Sequence, residues 1–271
     1  MSFEVDRKTG LKFKRVLKVG MATGAILTAI VMLIILLIVV KSKNSNHKEE
    51  VAGLKKEITQ LQEELEVKNK KIPDAAEQLV SNEDDWCLAL VNQDHPLDEE
   101  YVPTLVELID DLEVDERIVD DAKQMLEDAE DAGLEMVVCS AYRSYKKQRE
   151  NFNDDMETWV NSGYTMLEAY ETTSKSIAVP GYSEHSMGLA LDIVSESYQE
   201  LDEEQEDTEE AQWLKEHCWE YGFILRYPVK ATDITGIIYE PWHYRYVGKD
   251  AAKEIMEKGI TLEEYLGAIE E

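Results

Sequence analysis

Apolar positions change their rhythm twice along the chain. Residues 19–40 form a run of 22 without a charge. As a helix this run spans about 33 Å, close to the thickness of a hydrocarbon core, and it predicts a transmembrane helix. Val51, Leu54, Ile58, Leu61 and Leu65 then recur at roughly the 3.5-residue spacing of a heptad, with Lys and Glu between them. Lys68 interrupts the seam, Ile72 resumes it, and Pro73 ends it. The pattern predicts a helical stalk within a 41–79 linker. Two forms stay open: a short parallel coiled coil that joins two chains as a dimer, or a solvated helical spacer.

From residue 80 onward the pattern is mixed. Short apolar runs rich in strand formers fall at 86–91, 134–138, 189–194, 236–239 and 242–247. Helical periodicity predicts helices over 103–132, 143–161, 163–176, 207–221 and 249–257. Helices clustered between scattered strands indicate an α+β domain over 80–271, an ordinary size for one core.

Charge divides the chain in the same places. The net charge is −30, but residues 1–44 carry +6, residues 45–72 are neutral and residues 73–271 carry −36. Arg7, Lys8, Lys12, Lys14, Arg15 and Lys18 precede the apolar run, and Lys41 and Lys43 alone follow closely. The excess puts residues 1–18 in the cytoplasm as a basic tail and everything after residue 40 outside, on a single-pass protein of the cell membrane. A cleavable signal peptide is the rival. It is weakened by the length of the run and by the exit Val40-Lys41-Ser42-Lys43, which lacks a small-x-small site. A domain at −36 excludes a nucleic-acid partner, because phosphate contacts need clustered Lys and Arg.

Three cysteines, Cys87, Cys139 and Cys218, are too few for a disulfide scaffold, and no CxxC pair offers a thiolate zinc ribbon. Cys139 is expected as a small strand residue. Cys87 and Cys139 fall on expected strands and could pair outside the cell. Residues 195–210 hold nine Asp or Glu in 16 positions but no DxDxDG pattern, so a solvated loop leading into a helix near Thr208 is expected rather than a calcium site.

Two of the five histidines sit in distinctive company. His185 lies in a Gly-bearing turn before the 189–194 run, where Asp192 shares a strand face with Ala190 and Val194. A carboxylate on an apolar strand needs a cationic partner. That partner is either an arginine at the strand end or a metal. His243 follows Glu240 by three residues, with Pro241 between them arguing against a helix. Two His and one Asp can fill three positions of a zinc and leave the fourth for water, and a nearby Glu can take that water's proton. A strand end packed around Trp242 accounts for the second segment equally well.

Four segments carry a family resemblance. They are Ser140-Ala-Tyr-Arg-Ser-Tyr-Lys-Lys-Gln148, Ser183-Glu-His with Gly188-Leu-Ala-Leu-Asp192, Tyr221-Gly-Phe-Ile-Leu-Arg-Tyr-Pro228, and Glu240-Pro-Trp-His-Tyr-Arg-Tyr246. In order and spacing they resemble the VanY-type D-alanyl-D-alanine carboxypeptidases, zinc peptidases related in fold to lysostaphin and the hedgehog signalling domain. The likeness spans roughly residues 84–266. It implies a small antiparallel sheet flanked by helices. It implies zinc held by His185, Asp192 and His243, with Glu240 as catalytic base. It implies that Arg143 binds the scissile carbonyl or its oxyanion, and that Gln148, Ser183 and Tyr227 hold the terminal carboxylate and stem peptide. Ser140, Ser144 and Asp233 are expected as turn and cap residues.

The expected activity is removal of the terminal D-alanine from peptidoglycan stem peptides. An L,D-carboxypeptidase trimming tetrapeptides shares the motifs. A silent zinc-binding domain that presents a wall- or partner-binding surface is a rival of another class, and so is a coiled-coil membrane scaffold whose outer domain docks partners.

Overall fold

The computed structural model describes Lys56, residues 75–80 and residues 85–268. The chain separates into two compact units, 1–72 and 73–271, and the fold below is that of the second. The expected 19–40 span and the 47–72 heptads lie outside the described residues, Lys56 apart. Among the described residues no helix is long and apolar enough to cross a membrane.

Helix α1 (Ala75–Val80) buries Ala75 and Leu79 in the domain core. This end of the expected 41–79 linker is therefore part of the domain. The run at 86–91 is not a strand. It is a 3-10 turn, Trp86–Leu88, followed by buried extended chain. The reason is a distant side chain: Arg245 Nη2 donates to the carbonyls of Cys87 and Ala89 at 2.9 and 2.8 Å, taking the place of a strand partner.

Residues 103–132 are not one helix. They hold a hairpin, β1 (Leu105–Ile109) and β2 (Leu112–Asp115), followed by α2 (Val119–Asp131). Asp110 and Asp111 make the turn with φ of 48° and 63°, the left-handed pair that a two-residue hairpin loop requires and that Asp tolerates. On α2, Ala122, Met125 and Ala129 face the core.

The main sheet has four antiparallel strands in the order β3-β4-β6-β5: β3 (Met136–Ser140), β4 (Ala190–Ser195), β5 (Phe223–Leu225) and β6 (His243–Tyr246). Strand β4 is central and buried throughout. Its Leu191 and Ile193, with Leu189 just before it, join the core cluster with Val114, Ile118 and Met125. The alternation leaves Asp192 on the opposite face. The apolar run at 236–239 forms no strand, because the short helix α6 (Thr232–Thr235) ends at Gly236 and the chain continues as an irregular segment. Strand β5 was not expected, since three residues are too short a run to show alternation.

Helices α3 (Tyr145–Asn161) and α4 (Met166–Ser176) pack together, with the Phe152 and Tyr170 rings edge to face at 5.8 Å. Ser144 caps α3 by accepting from Lys147 N, and Thr165 with Glu168 closes a capping box on α4. Helix α5 (Glu209–His217) starts at the Thr208 cap and runs into a 3-10 turn, Cys218–Tyr221. Helices α7 (Lys249–Lys258) and α8 (Leu262–Tyr265) close the domain. The cysteines form no disulfide with one another, and Cys139 sits exposed at the bulge of β3. Among the described residues no metal-ligating cluster forms in 195–210.

Candidate metal centre

Strand register builds the site. Asp192 on β4 pairs with His243 on β6, and across the other edge Ser140 of β3 pairs with Asp192. Residues paired across strands project from the same face, so Asp192 and His243 meet without any loop to position them. Their Oδ1 and Nδ1 atoms are 3.0 Å apart.

His185 arrives from the other side. It sits in a 3-10 turn, Glu184–Met187, that ends on Gly188 at φ 73°. A Cβ at Gly188 would come within 2.8 Å of Asp115 N, so a side chain there would push the His185 turn away from the hairpin. His185 Nδ1 donates to Ala141 O at 2.7 Å, which turns Nε2 toward Asp192 Oδ2 at 3.2 Å. The two imidazoles stand edge to face with centroids 4.9 Å apart.

One ligand atom from each of His185, Asp192 and His243 lies within 4.8 Å of the others, and all three residues are buried. His185 Nε2 has no hydrogen-bond partner. A buried imidazole nitrogen left unpaired beside a carboxylate is costly unless a cation sits between them. Two imidazole nitrogens and one carboxylate oxygen are also the donor set that suits zinc with an open fourth position. Burial, with Arg143 nearby, pushes His185 down to about 4, so its ring is the neutral form that can ligate. Burial would lower His243 too, but its bond to Asp192 and the nearby carboxylates of Glu184 and Glu240 override that and lift it to about 9. The proton it keeps on the Asp192 side occupies the lone pair a metal would take.

Glu240 stands next to this group, its Oε2 3.7 Å from His243 Nδ1. Burial pushes its carboxyl up to about 8, with Asp192 and Glu184 adding to the rise and His243 and Arg143 opposing it. A divalent cation at the ligand atoms would draw it back down.

A cavity of about 510 Å³ opens over the three ligands, lined in part by Arg143, Ser183, Tyr227, Glu240 and Trp242. Arg143 is fixed by its backbone to the His185 turn: its N–H donates to His185 O, and its carbonyl accepts from Ser186 Oγ. Its Nη2 lies 3.6 Å from Asp192 Oδ2, while Nε finds no partner. The Tyr227 ring lies 4.8 Å from that of His243. Gln148 does not line the cavity. It is buried under the wall and donates from Nε2 to Ala178 O at 2.6 Å. Sequence reasoning passed over Glu184, which is buried beside His243. The only sign was its place directly before His185.

The family model for "VanY: D-alanyl-D-alanine carboxypeptidase" matches residues 111–249. The chain belongs to this family. A D-alanyl-D-alanine carboxypeptidase of Enterococcus faecalis (strain ATCC 700802 / V583) is 38% identical over 185 residues, 68% of this chain and 67% of that protein. A solved VanY D,D-pentapeptidase from a VanB-type resistance cassette, a point mutant in complex with Zn(II), superposes with TM-score 0.61 at 38% identity. It covers 67% of this chain and 99% of its own. The LD-carboxypeptidase LdcB, whose structure is described as revealing the basis of peptidoglycan recognition, superposes with TM-score 0.60 at 37% identity, over 69% of this chain and 88% of its own. Zinc is thus the metal found in a VanY relative, and His185, Asp192 and His243 are the group here that fits it.

Proposed function

We propose that this carboxypeptidase is a zinc-dependent D,D-enzyme that removes the terminal D-alanine from peptidoglycan stem peptides. The observation that carries the reading is a buried Glu240 beside three convergent ligand side chains at the floor of an open cavity. When bound, zinc polarises the scissile carbonyl and acidifies the attacking water.

The chain's own residues do the rest. Glu240 takes a proton from the water as it attacks the carbonyl carbon, and returns it to the amide nitrogen as the C–N bond breaks. The guanidinium of Arg143 faces the growing oxyanion with donors that Asp192 does not use. Arg143 also brings a local positive charge to a domain whose overall field repels an anionic chain end. Ser183 and Tyr227, both in the cavity wall, hold the terminal carboxylate and stem. Gln148 supports that wall through Ala178. A silent zinc-binding domain would have no use for a buried carboxyl such as Glu240 next to the metal ligands.

Residues 19–40 anchor the enzyme in the cell membrane, with the basic tail in the cytoplasm and the acidic domain facing the wall. The 47–72 heptads either space it from the membrane or pair it as a dimer. A second reading, L,D-carboxypeptidase on tetrapeptide stems, is favoured by the equal likeness to LdcB. Incubating the full chain with pentapeptide and with tetrapeptide, with and without chelator, separates the readings by mass spectrometry. Chelator-sensitive loss of D-alanine from pentapeptide is expected. Release from tetrapeptide alone would replace the first reading by the second, and no release from either would sink both.

A further inference from the structure

Glu184 has no role in the chemistry above, yet it is among the most completely enclosed charges in the domain. Its two oxygens live differently. Oε1 accepts from Arg226 Nε at 2.8 Å and from Arg245 Nη1 at 2.7 Å. Both guanidiniums are themselves pinned. Arg226 makes a bidentate pair with Glu263 at 2.9 and 2.6 Å, and Arg245 donates to the carbonyls of Cys87, Ala89 and Tyr246. Glu263 is held in turn by Asn92 Nδ2 at 3.0 Å. Two Arg and two Glu make a neutral cluster, so charge balance alone does not require anything further of Glu184.

Oε2 is the other case. It is buried, accepts no hydrogen bond, and lies 3.5 Å from His243 Nε2, which is also buried and also without a hydrogen bond. His243 presents its opposite nitrogen, Nδ1, to Asp192. A ring that ligates through Nδ1 carries its proton on Nε2, and that proton needs an acceptor in a dry site. His185 solves the same problem with the Ala141 carbonyl.

We propose that Glu184 is a positioning residue: it accepts the Nε2 proton of His243 and so fixes the tautomer and tilt with which Nδ1 meets the metal. Arg226 and Arg245 hold the carboxylate at that spot. The inference rests on the zinc assignment of the site and adds a residue to it.

The test uses the full chain in detergent. Zinc affinity is measured by chelator competition for wild type, Glu184→Gln and Glu263→Gln. Glu263 lies in the same cluster without touching His243, so it reports a purely structural loss. The expected result is a 10- to 100-fold weaker zinc affinity for Glu184→Gln, the usual effect of losing such a partner, with Glu263→Gln within about threefold of wild type. Equal weakening in both variants, or none in Glu184→Gln, overturns the proposal.

A second measurement needs no variant. Loaded with Co(II), the wild-type chain should show two exchangeable, hyperfine-shifted imidazole N–H resonances, with that of His243 protected from solvent exchange. Ligation of His243 through Nε2, or a His243 N–H that exchanges as freely as an exposed one, overturns the proposal even if the variants do not fold. If wild type binds no zinc at all, the site assignment itself falls. If it binds zinc and only the variant comparison or the N–H signature fails, the assignment stands and this inference alone is lost.

Discussion

Two buried polar groups lie side by side in this domain, and they are finished to different standards. The Arg226–Glu263 pair with Arg245 and Asn92 is closed: every guanidinium nitrogen and every Glu263 oxygen has a partner within 3.0 Å. The group around His185, Asp192 and His243 is open. Among the described residues the buried side-chain atoms without a hydrogen bond are Arg143 Nε, Gln148 Oε1, Glu184 Oε2, His185 Nε2 and His243 Nε2. Four of these five belong to the metal centre or touch it, and the fifth lies under its wall. Desolvated polar atoms are too costly to leave unpaired by accident. The contrast teaches that one cluster exists to hold the fold and the other to hold something the fold does not contain. Glu184 belongs to both, one oxygen to each.

Removing the guest should affect the open group most. Chelation, or His185→Ala, is expected to abolish D-alanine release and to remove stoichiometric zinc from the purified full chain, as read by metal analysis. Retained zinc in His185→Ala would break the comparison. Glu240→Ala should keep zinc yet lower the rate by about 10²- to 10⁴-fold, the range for a general base. A wild-type rate in Glu240→Ala would remove it from the chemistry.

The closed group answers in stability instead. Arg226→Met leaves the buried Glu263 carboxylate without its guanidinium and Glu184 with Arg245 alone, and should cost about 3–5 kcal/mol in denaturant unfolding. A loss under about 1 kcal/mol would mean that water reaches the cluster.

Acid should find the same weak point. Burial would raise the Glu184 carboxyl, but Arg226 and Arg245 outweigh it and hold the group well below its ordinary 4.5. A folded value below the unfolded one stabilises above 4.5, and the gain is lost as pH falls from there toward the folded value. The metal-free chain should therefore lose stability steeply below about pH 4.5, and Glu184→Gln should flatten that slope. The smallest effect is expected at Cys139, exposed, with its thiol donating to Asp192 O at 3.3 Å. Cys139→Ser should leave activity intact and stability within about 0.5 kcal/mol.

The open group was legible in the sequence and the closed one was not. His185 and Asp192 are seven residues apart and Glu240 and His243 three, so each pair stands in a short motif, and it was the resemblance of those motifs to a known family that joined segments as distant as Asp192 and His243, 51 residues apart. Glu184 finds its arginines 42 and 61 residues later, a distance no periodicity reports. The same limit explains the misplaced elements. Leu105, Leu108, Ile109 and Leu112 satisfy a helical face as well as a hairpin, and the left-handed turn at Asp110–Asp111 decided between them. The 86–91 run looks like a strand until Arg245 claims its carbonyls. Strands β3, β4 and β6 were found within two residues of their observed ends, because their apolar runs have turns on both sides.

The hydrogen bond from Asn92 to Glu263 closes a loop of 171 residues. Its partners stand at the two ends of the domain, outside the 111–249 segment that the family model matches. On a chain made from its N-terminus, Arg226 waits for its second carboxylate, Glu263, through a further 37 residues. Until then Arg226 has Glu184 as its one carboxylate, and it shares that oxygen with Arg245. Arg245 already holds Glu184 by then, so what closes last is the Arg226–Glu263 pair and not the contact that faces His243.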